Sequence, residues 1–315
     1  MKPRGAAMKL EPSACRLCGD TRIRCLGALP ESDCFAGRVL QHSMDGGHLW
    51  RCAACQSMFR HPVLQDSAYL DLYANGAADE WHGDGGREDL AIIRGIIAQK
   101  APSGLLDVGC CAGDFLLTLP APLTKYGVEP SVAAAALATA RGVSILAPTL
   151  AQLSPQARFD VITMIDVIEH VAYPGDLLDR ALRHLAPGGS LIIATGDAGN
   201  VLWRRVFRAR FWYSSFPEHI SFPSLRYFRI WREGKELQVP TAVRLKYRRL
   251  PFWQAALYCA SQIAYLVSPR LLNGVARCIE WLRHAPPPRR RFFAPAAPGV
   301  FTDHQIVTIQ RLPSG

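Results

Sequence analysis

The stretch from residue 105 to residue 195 constrains the fold more than any other part of this 315-residue chain. Short apolar runs at 105–108, 126–128, 143–147, 159–165 and 190–195 have strand length, and helical patterns begin at Asp114, cover 132–140 and cover 174–185. A chain that alternates strand and helix at this spacing builds a parallel, doubly wound α/β sheet. Further strands expected at 241–250 and 305–311 bring the sheet to seven. A helical segment at 87–100 precedes it, after a polar Gly/Ala/Asp-rich linker at 66–86.

In such a sheet the ligand lies outside the carboxyl ends of the strands. The first strand runs into Asp107-Val108-Gly109-Cys110-Cys111-Ala112-Gly113, where Gly109 and Gly113 let the backbone pass close to a ligand at a helix N-terminus. Twenty residues beyond Gly109 the second strand ends at Glu129, a carboxylate able to accept from both hydroxyls of a ribose. A nucleoside-containing cofactor follows. A dinucleotide fold needs Gly-x-Gly-x-x-Gly for its pyrophosphate. Here the spacing is Asp-x-Gly-x-x-x-Gly, and an aspartate at the strand end suits a cationic amino group better than a diphosphate.

Ten cysteines in a chain whose first ten residues hold no apolar run of signal-peptide length argue for metal ligands over disulfides. Cys15/Cys18 and Cys52/Cys55 form two Cys-x-x-Cys knuckles with 33 residues between them, the spacing of a zinc ribbon with four thiolates on one structural Zn²⁺. Cys25, Cys34, His42 and His48 lie inside the loop and compete only if one of those four is displaced.

Several ordered motifs resemble those of class I S-adenosylmethionine-dependent methyltransferases over about 200 residues: the glycine loop, Phe159-Asp160-Val161-Ile162 leading into Asp166-Val167-Ile168-Glu169-His170-Val171, and Leu185-Ala186-Pro187-Gly188-Gly189. Pro217-Glu218-His219-Ile220-Ser221-Phe222-Pro223 is similar to the segment before the last helix in bacterial members with an N-terminal ribbon. The resemblance implies that Asp107, Gly109 and Gly113 hold the methionine end of S-adenosyl-L-methionine, Glu129 its ribose, and Asp166 or its backbone the methionyl amino group. Two positions depart from the pattern: Cys111 stands where a third glycine is usual, and Thr149-Leu150 stands at the adenine position. The resulting expectation is a Rossmann-like methyltransferase sheet with this domain order: zinc ribbon 1–65, linker and leading helix 66–100, core 101–250, helical insertion 251–300, last strand and tail 301–315.

Methyl transfer needs a general base only when the acceptor must lose a proton. His219, His170 and Glu218 are the candidates, with Tyr213 behind them. Charge adds a second clue: residues 1–200 carry a net −4 and residues 201–315 a net +14. The run from Trp203 to Tyr213 mixes four arginines with five aromatics, a composition that fits either base stacking with phosphate contacts or a lipid interface. The apolar segment 251–268 reads as an interfacial helix or as one packed on the domain or a second subunit, and less well as a span. Arg289-Arg290-Arg291-Phe292-Phe293 is a second basic–aromatic element.

The leading expectation is a cytoplasmic methyltransferase, peripheral on the inner membrane face through residues 203–300 or homodimeric, acting on a small-molecule or lipid-linked sugar acceptor. Two alternatives stand beside it. One is an RNA methyltransferase gripping nucleic acid through ribbon and basic tail, which lacks the Asn/Asp-Pro-Pro-Tyr/Phe run of many base amino-group enzymes. The other is a non-catalytic scaffold.

Overall fold

The computed structural model describes residues 11–36, 38–75, 87–248, 250–268 and 300–313. The N-terminal unit contains β1 (Ile23–Ala28), β2 (Ser32–Phe35), β3 (Arg38–Met44), β4 (His48–Cys52) and β5 (Met58–His61). β1, β4 and β5 pair antiparallel, and β2 and β3 form a separate hairpin. Helices α1 (Asp66–Ala74) and α2 (Glu88–Lys100) lead into the core.

The core alternates as expected: β6 (Gly104–Val108), α3 (Asp114–Leu117), β7 (Thr124–Val128), α4 (Val132–Ala140), β8 (Ser144–Ala147), β9 (Phe159–Ile165), α5 (Pro174–His184) and β10 (Leu185–Gly196). Local chemistry sets the helix ends. The Ser131 hydroxyl accepts from the Ala134 amide to start the alanine-rich α4. Pro174 and Asp176 occupy the first turn of α5 while Arg183 and His184 occupy its last, matching the helix dipole at both ends. β6, β9 and β10 are almost continuously buried, as central strands covered on both faces must be.

After β11 (Ser221–Phe222), α6 (Leu225–Trp231), β12 (Thr241–Leu245) and α7 (Phe252–Val267), the chain returns as β13 (His304–Gln310) between β10 and β12. Counted along the chain, the seven core strands stand in the order 3-2-1-4-5-7-6, with the last antiparallel to both neighbours. β12 is shorter than the sequence implies. The chain leaves the sheet after Leu245, and Tyr247 lies against His304, ring centroids 4.7 Å apart, with the Arg87 guanidinium over the Tyr247 ring at 4.6 Å from its centroid.

Strand pairing and a shared cluster join the ribbon to the core. β11 pairs with β5 and so extends the ribbon sheet with a strand from the core. Cys15, Cys52, Cys55 and Phe59 share one hydrophobic cluster with Tyr227 and Phe228 of α6 and Leu191 of β10. Of the expected 251–300 insertion, α7 is described; the basic–aromatic element at 289–293 lies outside the described residues.

Candidate functional site

A cavity of about 810 Å³ opens at the carboxyl ends of β6, β7 and β9. Asp107, Gly109, Glu129 and Asp166 line it, together with His170, Tyr213 and His219. The loop after β6 needs its glycines. Gly109 has φ +73°, and a Cβ there would meet Val167 Cγ2 at 2.6 Å; Gly113 has φ +80° and would meet Val143 Cγ2 at 2.6 Å. Cys111, at the departing position, is also left-handed at φ +50°. Its backbone amide donates to Glu129 Oε2 at 2.8 Å, and the Ser131 amide donates to Oε1 at 2.8 Å. Glu129 is thus fixed by two backbone donors with acceptor capacity left over.

Asp107 is buried, and its Oδ1 accepts from the Thr163 hydroxyl at 2.6 Å. Burial pushes its carboxyl up to about 7, the Thr163 hydrogen bond opposes that, and the Glu129 charge adds to it. A cation placed there would restore the carboxylate. Asp166 sits at φ +53°, in the left-handed region that aspartate enters more readily than most side chains. Its Oδ2 pairs with Arg87 at 2.7 Å, and its Oδ1 is buried with no hydrogen-bond partner among the described residues. Thr149 and Leu150 line the same cavity. The residues fit S-adenosylmethionine: carboxylates for its positive end, a fixed glutamate for its ribose, and an orphan acceptor at the strand end.

Aromatic and imidazole groups supply another part of the lining. The rings of His170 and His219 meet edge to face with centroids 5.0 Å apart. His219 Nδ1 lies 2.8 Å from the Tyr213 carbonyl, and His170 Nδ1 lies 2.7 Å from the Tyr73 hydroxyl. Burial holds His219 well below the usual imidazole range, helped by the neighbouring His170 charge. Glu169 accepts from the Tyr213 hydroxyl and from the Thr195 hydroxyl, the latter at 2.8 Å. Glu169, His170 and His219 are close enough to share an ion. Each Glu169 oxygen accepts from one hydroxyl donor, which ties the trio into a hydrogen-bonded wall.

Glu218 does not line the cavity. Its Oε1 accepts from the Ala36 amide at 2.6 Å and ties the β2–β3 hairpin to the segment before β11. The basic–aromatic run is corrected. Trp203, Phe207, Phe211, Trp212 and Tyr213 are all buried, stacked on one another and on Phe222, so none is available to stack on nucleic-acid bases.

Sequence reasoning missed Arg60, Arg87, Tyr73 and the Asp303–His304 pair. Arg60 is buried and donates to the carbonyls of Gly46, Ser214, Phe216 and His219. His304 Nδ1 meets Asp303 Oδ1 at 2.8 Å behind Tyr213 and Tyr247. Each depends on a partner more than 50 residues away or on a neighbour that no motif marks.

The four knuckle cysteines converge. Cys15 and Cys55 Sγ are 3.7 Å apart, Cys18 and Cys52 Sγ 3.6 Å, and all four sulfurs lie within 4.8 Å of one another. A tetrahedron with Zn–S bonds of about 2.3 Å has edges of about 3.8 Å. Burial and the neighbouring thiols push Cys18 up to about 12. Four thiolates therefore need a divalent cation, and the donor set fits zinc.

A family model described as a methyltransferase domain matches residues 89–239. Curated relatives include ubiquinone biosynthesis O-methyltransferases. The protein of Bradyrhizobium sp. (strain ORS 278) is 34% identical over 102 residues, covering 29% of this chain and 39% of its own. That of Nitrobacter winogradskyi is 36% identical over 102 residues, 29% of this chain and 38% of its own. The chain thus spans about two-fifths of the length of the curated relatives it matches. Among solved structures, the N-methyltransferase NodS from Bradyrhizobium japonicum WM9 with S-adenosyl-L-homocysteine aligns at a TM-score of 0.43 and 15% identity, over 78% of this chain and 97% of its own. Sheet order and glycine loop fall within the same part of the chain, behind the four-cysteine ribbon, that matches the methyltransferase-domain model.

Proposed function

We propose that this chain transfers a methyl group from S-adenosylmethionine to a hydroxyl oxygen of a small-molecule acceptor, with His219 as the general base. The observation that carries this reading is the Nδ1 contact of His219. A carbonyl can only accept, so Nδ1 bears the proton it donates to Tyr213, and Nε2 keeps its lone pair. Because burial holds the ring below the usual imidazole range, that lone pair is available at neutral pH.

When bound, S-adenosylmethionine supplies an electrophilic methyl group. Asp107, Glu129 and Asp166 bind and orient its carrier. His219 Nε2 takes the hydroxyl proton as the acceptor oxygen becomes nucleophilic. The Tyr73 hydroxyl, 2.7 Å from His170 Nδ1, holds the His170 ring beside His219 at the same cavity wall. Trp212, Tyr213, Phe216 and Tyr247 supply apolar walls that exclude water. These walls suit a planar or apolar-faced acceptor, and a lipid-linked sugar is the substrate class we carry forward from the sequence. The test is a pair of measurements on His219→Gln. Calorimetric affinity for S-adenosylmethionine should be unchanged while turnover on hydroxyl acceptors is lost; unchanged turnover removes the base, and absence of cofactor binding by the wild type removes the enzyme.

A further inference from the structure

Helix α7 carries its polar residues toward the protein and its apolar residues toward solvent. Its exposed positions are Phe252, Trp253, Ala256, Leu257, Ala260, Ile263, Ala264 and Val267, an unbroken stripe at helical spacing without one polar side chain. Phe252 is 90% exposed, Trp253 62%, Leu257 61% and Val267 78%. Facing inward, Gln262 is buried, its Oε1 accepting from the Trp212 amide at 3.1 Å, and its Nε2 donates to the Arg210 carbonyl. Arg210 in turn donates to the Leu266 carbonyl. A helix docked through a buried glutamine whose most exposed positions are all apolar has the reverse of ordinary surface amphipathicity, and a stripe of this kind marks an interaction face.

Charge identifies the occupant. The segment on which α7 packs exposes Arg205, Arg208 and Arg210 beside Val201, Leu202 and Val206. Residues 201–268 hold twelve basic and three acidic side chains, and one of those three, Glu218, is buried. Arg24 and Arg51 of the ribbon belong to the same field: Arg51 is held below the usual guanidinium range first by burial, then by Arg204, Arg24 and Arg205. A second copy of this chain would bring like charge against like. At 1.5 Å per residue the 16-residue helix is about 24 Å long, short of a hydrocarbon core of about 30 Å, and no described helix is long and apolar enough to cross a membrane.

We propose that the outer face of α7, flanked by Arg205 and Arg208, seats the protein flat on an anionic lipid bilayer, with Phe252 and Trp253 in the interface. Trp212 links this face to the site, since it contacts Gln262 of α7 and also lines the cavity. The inference stands apart from the methyl-transfer reading, because lipid binding is measured without cofactor or acceptor.

The experiment is co-sedimentation of the full chain with phosphatidylcholine vesicles with and without phosphatidylserine. The wild type should partition onto the phosphatidylserine vesicles, less so as salt rises. Trp253→Ser combined with Leu257→Ser should lower partitioning about tenfold or more while leaving the unfolding midpoint unchanged, as fits two exposed positions. Arg205→Ala with Arg208→Ala should remove most of the preference for phosphatidylserine. Brominated lipids should quench the wild type more than Trp253→Phe. The proposal is overturned if the wild type stays in the supernatant, if the double serine variant sediments like the wild type, or if sedimentation equilibrium shows that this face is a dimer seam which the serine variant dissolves.

Discussion

Arg60 Nε donates to the main-chain carbonyl of His219 at 3.2 Å, so a residue of the cysteine ribbon fixes the backbone of the proposed base. The same guanidinium donates to Gly46 O at 2.7 Å, to Phe216 O at 2.9 Å and to Ser214 O at 3.1 Å. Its bonding partners are all neutral carbonyls, and burial draws it down to about 10. One side chain thereby holds three points of the 214–219 segment that walls the acceptor end. The ribbon is a structural part of the site.

Replacing Arg60 by methionine should strand several buried carbonyls at about 1–3 kcal/mol each, a total loss of about 3 kcal/mol or more. Urea unfolding measures it. Arg60→Lys keeps a charge without the fork and should leave a folded protein whose cofactor affinity is normal and whose turnover is reduced. Turnover equal to wild type in that variant would show that the 214–219 segment holds its shape unaided.

Metal removal should act through the same connection. The Ser224 hydroxyl, which caps α6, donates to the Cys55 carbonyl at 2.6 Å, and the Ser224 amide donates to the Ser57 hydroxyl at 3.1 Å. The second knuckle is therefore tied to the helix that covers the core sheet. The purified chain should contain one zinc, measured by mass spectrometry of the metal. Cys52→Ser should lose that zinc and lower the melting temperature of the whole protein in one transition, because ribbon and core share a cluster. Two separated transitions would mean that the ribbon melts alone.

The alternating elements were legible because central parallel strands must be apolar throughout, as 159–165 is, and because the alanine-rich 132–140 favours helix, where it falls. Two thiolate pairs were legible because metal spacing is local. What was not legible is long-range. Nothing in Phe59-Arg60-His61 signals a guanidinium that will meet carbonyls more than 150 residues away. The Trp203–Tyr213 run misleads for a related reason: composition is the same whether aromatics face solvent or one another, and here Trp203 and Phe211 stack at 4.8 Å inside the protein.

Asp107 should trade stability for binding. Its folded value is about 7 against an ordinary 3.8, so the stability it contributes is full below pH 4 and is lost as pH rises through 7. By pH 8 the burial of its charge costs up to about 4 kcal/mol. Asp107→Asn keeps an acceptor for Thr163 and should raise the melting temperature at pH 8 while weakening S-adenosylmethionine binding. Equal melting temperatures at pH 8 would show that the carboxylate is not strained there.

His219 and Asp107 titrate on opposite sides of the ordinary imidazole value, and that separates their effects on rate. A base works when unprotonated, so His219, held well below 6.5, keeps its lone pair as pH falls from 8 to 6.5. Turnover at saturating cofactor reports the bound complex and should be flat over that interval. The second-order rate constant for S-adenosylmethionine reports the free enzyme, where Asp107 gains a proton as pH falls through about 7 and no longer favours a cation. It should fall below pH 7 while turnover does not. His219→Gln should cost about 10²–10⁴ in turnover with cofactor affinity unchanged. Turnover that declines with an apparent pKa at or above 6.5 would assign the base to another group, and His170, whose ring packs against His219, is the next to substitute.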